Sequence, residues 1–266
     1  MLKRMVESFS FKWVFGLTGL FVFALFVSTI YHLPISWLLA QPTVQKQIPS
    51  TLQLSPSHGT LWQGSTQIST LTPHLVHLGK VEWELSFWSL LLGKANIQSV
   101  WQKEQSTLRS QMAFPLLSEL TEFNVTNLDG KISLPLMINM LNLTDVQNMD
   151  VRGILQINNI DLTLNPSELW PSILTGSLVL KQLNVLGETF PDITITPNLD
   201  GDKLVLDMKG KEQGWALSGQ LVLTKNRRFT VQLKVTAQSP NTMPSWAEML
   251  KKQSPTIAVL NHSGVW

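Results

Sequence analysis

The chain has 266 residues, with 20 Lys and Arg against 18 Asp and Glu and not one cysteine. A formal charge of +2 gives no electrostatic footprint for nucleic acid, and without cysteine there are no disulfide staples. Charged residues make up 14%, well under the roughly 25% of soluble domains, while hydrophobic residues at 44% are ordinary.

Part of the charge deficit is one segment. From Trp13 to Tyr31 runs a stretch of 19 residues without a charge, WVFGLTGLFVFALFVSTIY. At about 1.5 Å rise per residue a helix of this length crosses a hydrocarbon core of about 30 Å. Trp13 and Tyr31 stand at its two ends, where amphipathic rings favour the membrane–water interface. Lys3, Arg4 and Lys12 precede it with Glu7 as the sole acid, and no charge follows until Lys46. The positive-inside rule then keeps residues 1–12 in the cytoplasm, lays residues 13–33 across a bacterial inner membrane, and exports the rest to the periplasm. The apolar run is longer than the 7–15 residues or so of a cleaved signal, and Leu38–Ala40 is a poor A-x-A site. A retained, single-pass anchor is therefore expected. Residues 1–40 hold three of the basic residues and one acid, which leaves 17 of each sign in a neutral exported part with no polybasic membrane patch.

Residues 34–58 contain Pro34, Pro42, Pro49 and Pro56 among Gln and Ser, and read as an extended, non-helical tether. Residues 59–266 then form the β-rich domain. In Lys80–Ser86, Val81, Trp83 and Leu85 alternate with Lys80, Glu82, Glu84 and Ser86. In Thr230–Thr236, Val231, Leu233 and Val235 alternate with Thr230, Gln232, Lys234 and Thr236, and Asp192–Thr196 and Lys203–Met208 follow suit. Strict alternation marks strands with one buried and one wet face, in sheets that are usually antiparallel.

A weak repeat runs through the middle. Gly130, Gly153 and Gly176 are 23 residues apart, and apolar residues follow the last two at matching offsets: Leu155, Ile157, Ile160 and Leu162, then Leu178, Leu180, Leu183 and Val185. The change of phase within each set needs one extra residue, which a β-bulge at Asn158–Asn159 and at Lys181–Gln182 supplies. After Gly130 only Ile132 and Leu134 obey. The expected architecture is a long, curved, bulged antiparallel sheet. Its few short helices are expected in Phe114–Glu122, Pro166–Leu174 and Pro244–Lys252, with Ser245 as N-cap of the last. Phe87–Lys94 reads as a tight apolar turn closed by Gly93.

Catalytic, cofactor-binding and metal-ligating residues are expected to be none. His74 and His77 are the one close pair of the five histidines, and on a strand they point to opposite faces. They read as solvated or core-edge residues, with no cysteine or carboxylate cluster beside them. Glu82 and Glu84 share one wet strand face, and Asp200, Asp202 and Asp207 frame a turn. Gly59–Gly64 lacks the Lys-Ser/Thr of a phosphate-binding loop. Ten tryptophans stand against one tyrosine, and Trp62, Trp83, Trp88 and Trp101 cluster in a short stretch. They build an aromatic core, or Trp88 with Leu90, Leu91 and Leu92 forms an exposed ledge for a partner or lipid.

Three pieces, Gly59-Thr60-Leu61-Trp62-Gln63-Gly64, Leu78-Gly79-Lys80-Val81-Glu82-Trp83-Glu84-Leu85 and Trp88-Ser89-Leu90-Leu91-Leu92-Gly93-Lys94, together resemble protein N of the bacterial type II secretion system. Beyond residue 105 the likeness is one of pattern. The resemblance implies an inner-membrane accessory component of the apparatus that moves folded proteins from the periplasm across the outer membrane. It implies contacts with other subunits in the inner membrane or periplasm, and it supplies no catalytic residues. More faintly, the glycine-started repeats resemble AsmA-type envelope proteins, which implies a curved sheet that offers a groove to lipid or another hydrophobe.

Overall fold

The computed structural model describes residues 18–22, 24–25, 28–29, 31–46, 51–70, 76–115, 123–141, 143, 149–165 and 170–265. In the first half run β1 (Leu52–Gly59), β2 (Gln63–Thr70), β3 (Val76–Leu85), β4 (Lys94–Lys103), β5 (Ser106–Pro115) and β6 (Phe123–Ser133). The middle holds β7 (Val151–Asn165), β8 (Trp170–Val185), the two-residue β9 (Glu188–Thr189), β10 (Ile193–Asp200) and β11 (Lys203–Glu212). The last four are β12 (Trp215–Thr224), β13 (Arg228–Ala237), β14 (Lys251–Ser254) and β15 (Ile257–Val265). All belong to one antiparallel sheet in nearly sequential order. β9 is a spur on β8, and β15 slips between β13 and β14, so among the described residues β1 and β14 are the edges and the sheet stays open.

The two-residue period is carried across the sheet by register. Ile195 faces Met208, Leu217 faces Val235, and Val235 faces Ala258, so the apolar positions of successive strands line up on one face. Phe229, Val231, Leu233, Val235 and Ala237 of β13 lie on this inner face, while Thr230, Gln232, Lys234 and Thr236 take the outer one. Val81, Trp83 and Leu85 share the inner face with Ile97 and Trp101, and all are half-buried rather than fully enclosed. Hydroxyls on this face satisfy one another: Ser57 bonds Thr66 at 2.8 Å and Ser99 bonds Ser110 at 2.7 Å.

Two caps cover part of the inner face. Helix α4 (Leu134–Met140), named after α1 (Ile35–Leu39), α2 (Pro42–Gln45) and α3 (Phe87–Leu91), buries Leu134, Leu136 and Ile138. The 3-10 turns Pro240–Thr242 and Ser245–Met249 lay Met243, Trp246, Ala247 and Leu250 on Ile193, Trp215, Leu217, Val235, Ala237 and Ala258. One cap joins β6 to β7 and the other leaves β13, so both lie at the same rim of the meander. Toward the other rim, Leu204, Leu206, Leu221, Leu223 and Val231 remain half-buried.

The repeat has a backbone cause. Asn159 and Gln182 adopt φ of 45° and 51°, and the pairing slips at both places, so the expected bulges are there. Gly176, at φ 105°, lies opposite the first bulge, with the Asn159 carbonyl oxygen in the space a Cβ would take. After Gly130 the chain turns into α4, which is why the third copy fades.

Several expectations need correction. Residues 34–58 are not a plain tether but carry α1, α2 and most of β1, so the sheet begins before residue 59. Ile35 is buried, Pro34 bridges Thr60, and the Leu61 N–H donates to the Leu33 carbonyl at 3.2 Å, which ties this stretch to the first hairpin. Two of its prolines fit regular elements: Pro42 opens a helix, and Pro56 lies in an edge strand, while Pro49 lies outside the described residues. Residues 170–174 open β8 instead of closing a helix, because they pair with β7; residues 166–169 lie outside the described residues. Phe114 and Pro115 end β5, and residues 116–122 lie outside the described ones. In Pro244–Lys252 the helix is only one 3-10 turn, Pro244 rather than Ser245 is its N-cap, and Lys251 and Lys252 begin β14. Phe87–Lys94 is a tight apolar turn with α3 inside it, closed by Gly93 at φ 72°.

Of the expected anchor, residues 18–22, 24–25, 28–29 and 31 are helical, and much of the rest lies outside the described residues. Among the described residues no helix is long and apolar enough to cross a membrane.

Candidate functional site

Strand register decides where the titratable side chains meet. His58 of β1 faces Ser65 of β2, and Ser65 faces Glu82 of β3. These three and Glu84 line an open groove of about 510 Å³ together with Gln98 and Val100. The sequence treats His58, Ser65 and Glu82 as unrelated, and only the register brings them together. A nucleophile needs its base within hydrogen-bond reach and a third group behind that base. Here the hydroxyl stands between imidazole and carboxylate, and no hydrogen bond joins the three among the described residues. Glu82 instead pairs with Lys80 at 2.7 Å, both about half exposed.

The other candidates are scattered. His77 is exposed and its Nδ1 meets the Ser69 hydroxyl at 2.9 Å, while His74 lies outside the described residues. His32 and His262 stand far apart in sequence and fold, one before α1 and one on β15. Among the described residues no group of three His, Asp or Glu side chains could hold a metal ion. Asp202 stands in the β10–β11 turn, and Asp207 accepts a 2.7 Å bond from Gln220 across the sheet. Two further grooves, of about 450 and 530 Å³, are lined mainly by outer-face polar residues such as Gln220, Gln232, Arg109 and Gln156.

The tryptophans divide by burial. Trp62 is buried, and Trp83 and Trp101 lie half-buried on the inner face. Their indole N–H groups donate to the carbonyls of Leu61 at 3.3 Å and Leu78 at 2.8 Å, so each buried donor is satisfied by backbone. Trp88 is 74% exposed, with Leu91 at 65% and Leu92 at 81%, while Leu90 is half-buried. With Phe87, also exposed, the turn therefore presents four large apolar side chains to solvent. A relay of rings leads to it: Tyr31 stacks on Trp62 at 6.3 Å, Trp62 meets Phe87 edge-on at 5.2 Å, and Phe87 meets Trp88 at 5.8 Å.

Free sheet edges, open polar grooves and an aromatic corner beside the N-terminal segment define a single-sheet β protein whose assets are surfaces. Residues 50–255 match the family model of the type II secretion system (T2SS), protein N. The chain belongs to that family and is thereby a type II secretion system component, as its GTLWQG and VEWEL segments led one to expect. No curated protein and no solved structure matches it.

Proposed function

We propose that the protein is a bitopic inner-membrane component of the type II secretion system, anchored by residues 13–33 and holding its sheet in the periplasm. It acts by protein–protein contact with other subunits of the apparatus and not by catalysis. The observation that carries this reading is the open sheet, whose outermost strands keep one row of backbone donors and acceptors unpaired by any neighbour strand among the described residues. The two edges differ. β14 has only four residues and carries Lys251 and Lys252, features that discourage strand addition. β1 has eight residues without a charge, and its Leu52–Leu54 stretch, ahead of the slip at Pro56, is suited to receive a partner strand. A photo-crosslinking residue in place of Gln53, in intact secreting cells, should capture another subunit of the apparatus, and one in place of Lys251 should not. Capture from Lys251 alone, or from neither, counts against the reading.

A second reading has its own observation. The inner face is largely apolar, and beyond the caps most of its large apolar side chains are only half-buried. Binding of lipid or another hydrophobe there would make the protein an AsmA-like envelope module. Release of a fluorescent fatty acid from the purified chain by Leu221→Asp, and not by Gln220→Asp, would favour it.

A further inference from the structure

The corner where the N-terminal segment joins the sheet gathers exposed aromatic and aliphatic side chains out of proportion to the rest of the surface. Trp37 of α1 is 54% exposed and Tyr31 57%, and through Trp62 and Phe87 the ring relay from Tyr31 ends on the exposed Trp88, Leu91 and Leu92. On α1 it is Ile35 that packs inward, which leaves Trp37 outside. We propose that this corner is a second membrane contact, in which the Phe87–Leu92 turn inserts into the headgroup layer of the bilayer that residues 13–33 span. The proposal rests on the anchor reading above and assigns the exposed turn to lipid.

Three observations favour a lipid surface over a protein partner. First, the turn is coupled by rings in contact to Tyr31, the residue expected at the membrane–water interface, so it lies next to the bilayer if the anchor spans it. Second, the chemistry is interfacial: amphipathic Trp side chains with leucines between them bury a few side chains at headgroup depth, whereas a specific protein interface needs about 800 Å² per partner. Third, neither residues 31–63 nor residues 85–103 contain an Asp or Glu, while Lys46 and Lys94 flank the corner. The lysines favour anionic headgroups, and the acid nearest in sequence to the turn is Glu84, which stands in β3 opposite Gln98. Two fixed points, the anchor and the turn, would hold the first four strands at a set angle to the membrane, with the β1 edge close to its surface.

The absence of cysteine from the sequence makes the test direct. Single Leu92→Cys, Val22→Cys and Leu186→Cys variants of the full chain are labelled with a polarity-sensitive fluorophore. They are placed in phosphatidylethanolamine–phosphatidylglycerol vesicles containing a spin-labelled quencher lipid, or facing aqueous iodide. Leu186, in the turn after β8, is as exposed as Leu91 and apolar, so insertion driven by the label itself would appear there too. The expected result is loss of emission to the quencher lipid at residues 22 and 92, and to iodide at residue 186. Iodide quenching at 92 with lipid quenching kept at 22 overturns the proposal and leaves the anchor standing. Iodide quenching at 22 overturns both. Shielding of residue 92 only in native inner-membrane vesicles assigns the turn to a protein partner and overturns the lipid contact.

Discussion

Gly176 lies directly against the carbonyl of Asn159, the residue that carries the β7 bulge at φ 45°. The glycine is there because the bulge pushes a carbonyl into the position any side chain would need. Gly176→Ala meets two obstacles, an unfavourable φ of 105° and the Asn159 carbonyl, and should cost about 1–3 kcal/mol. Gly187→Ala is the control, since its φ of 89° carries strain but nothing lies within 4 Å of the added carbon. Urea unfolding followed by tryptophan emission should show the larger loss at residue 176. Equal losses would mean that the close approach contributes nothing.

A second prediction uses one strand against itself. Leu217 and Leu221 both lie on the inner face of β12, but Leu217 is buried beneath the 3-10 cap and Leu221 is half-buried beyond it. Leu217→Ala should cost about 2–5 kcal/mol, because it leaves a cavity in a packed cluster. Leu221→Ala removes partly wet surface and should cost about 1 kcal/mol. Unfolding midpoints decide between this gradient and a uniformly packed face, which would give similar losses.

The strands with a wet face were legible because their alternation survives in the residues themselves, as in Phe229–Ala237. The 23-residue spacing was legible because a bulge and its opposing glycine recur together. Residues 34–58 misled because prolines and glutamines suit a tether, a helix start and an edge strand alike, and only the contact of Ile35 and Pro34 with the first hairpin decides. Residues 170–174 misled because a Pro-Ser-Glu opening favours a helix, while Trp170 pairs with Asn165 of β7. The alignment of His58, Ser65 and Glu82 depends on the register of three strands, including a slip between Leu54 and Ser57 that no local pattern announces. Exposure of Trp88 beside buried Trp62 depends on Tyr31, more than fifty residues away, taking the stacking place over the latter.

Topology offers a third prediction. With Lys3, Arg4 and Lys12 before the apolar run and no charge for fourteen residues after Tyr31, the N-terminus should stay in the cytoplasm. A reporter fused after Trp266 should be active only if it is of the kind that works in the periplasm. Activity of a cytoplasmic reporter at the same position reverses the orientation, and a mature chain starting near Gln41 replaces the anchor with a cleaved signal.

The groove that holds His58, Ser65, Glu82 and Glu84 is where catalysis would show itself, so it gives the sharpest test of a protein that works by contact alone. Removing a general acid or base normally lowers a rate by about 10²–10⁴-fold, which a secretion assay would register at once. The Lys80–Glu82 pair is surface-exposed, and such pairs contribute at most about 1 kcal/mol. Glu82→Ala, Glu84→Ala and His58→Ala should therefore shift stability by no more than about 1 kcal/mol, His77→Ala, which takes a partner from the buried Ser69 hydroxyl, by about 1–3 kcal/mol, and all should leave secretion unchanged. Ser65→Ala belongs in the same set, since its hydroxyl stands between the other two groups in register. The assay is secretion of a native exoprotein by cells carrying each variant at normal abundance, with membrane recovery and unfolding midpoint measured alongside. A single variant that folds, reaches the membrane and still stops secretion would show that the polar groove does chemistry or binds a ligand, and contact alone would no longer account for the protein.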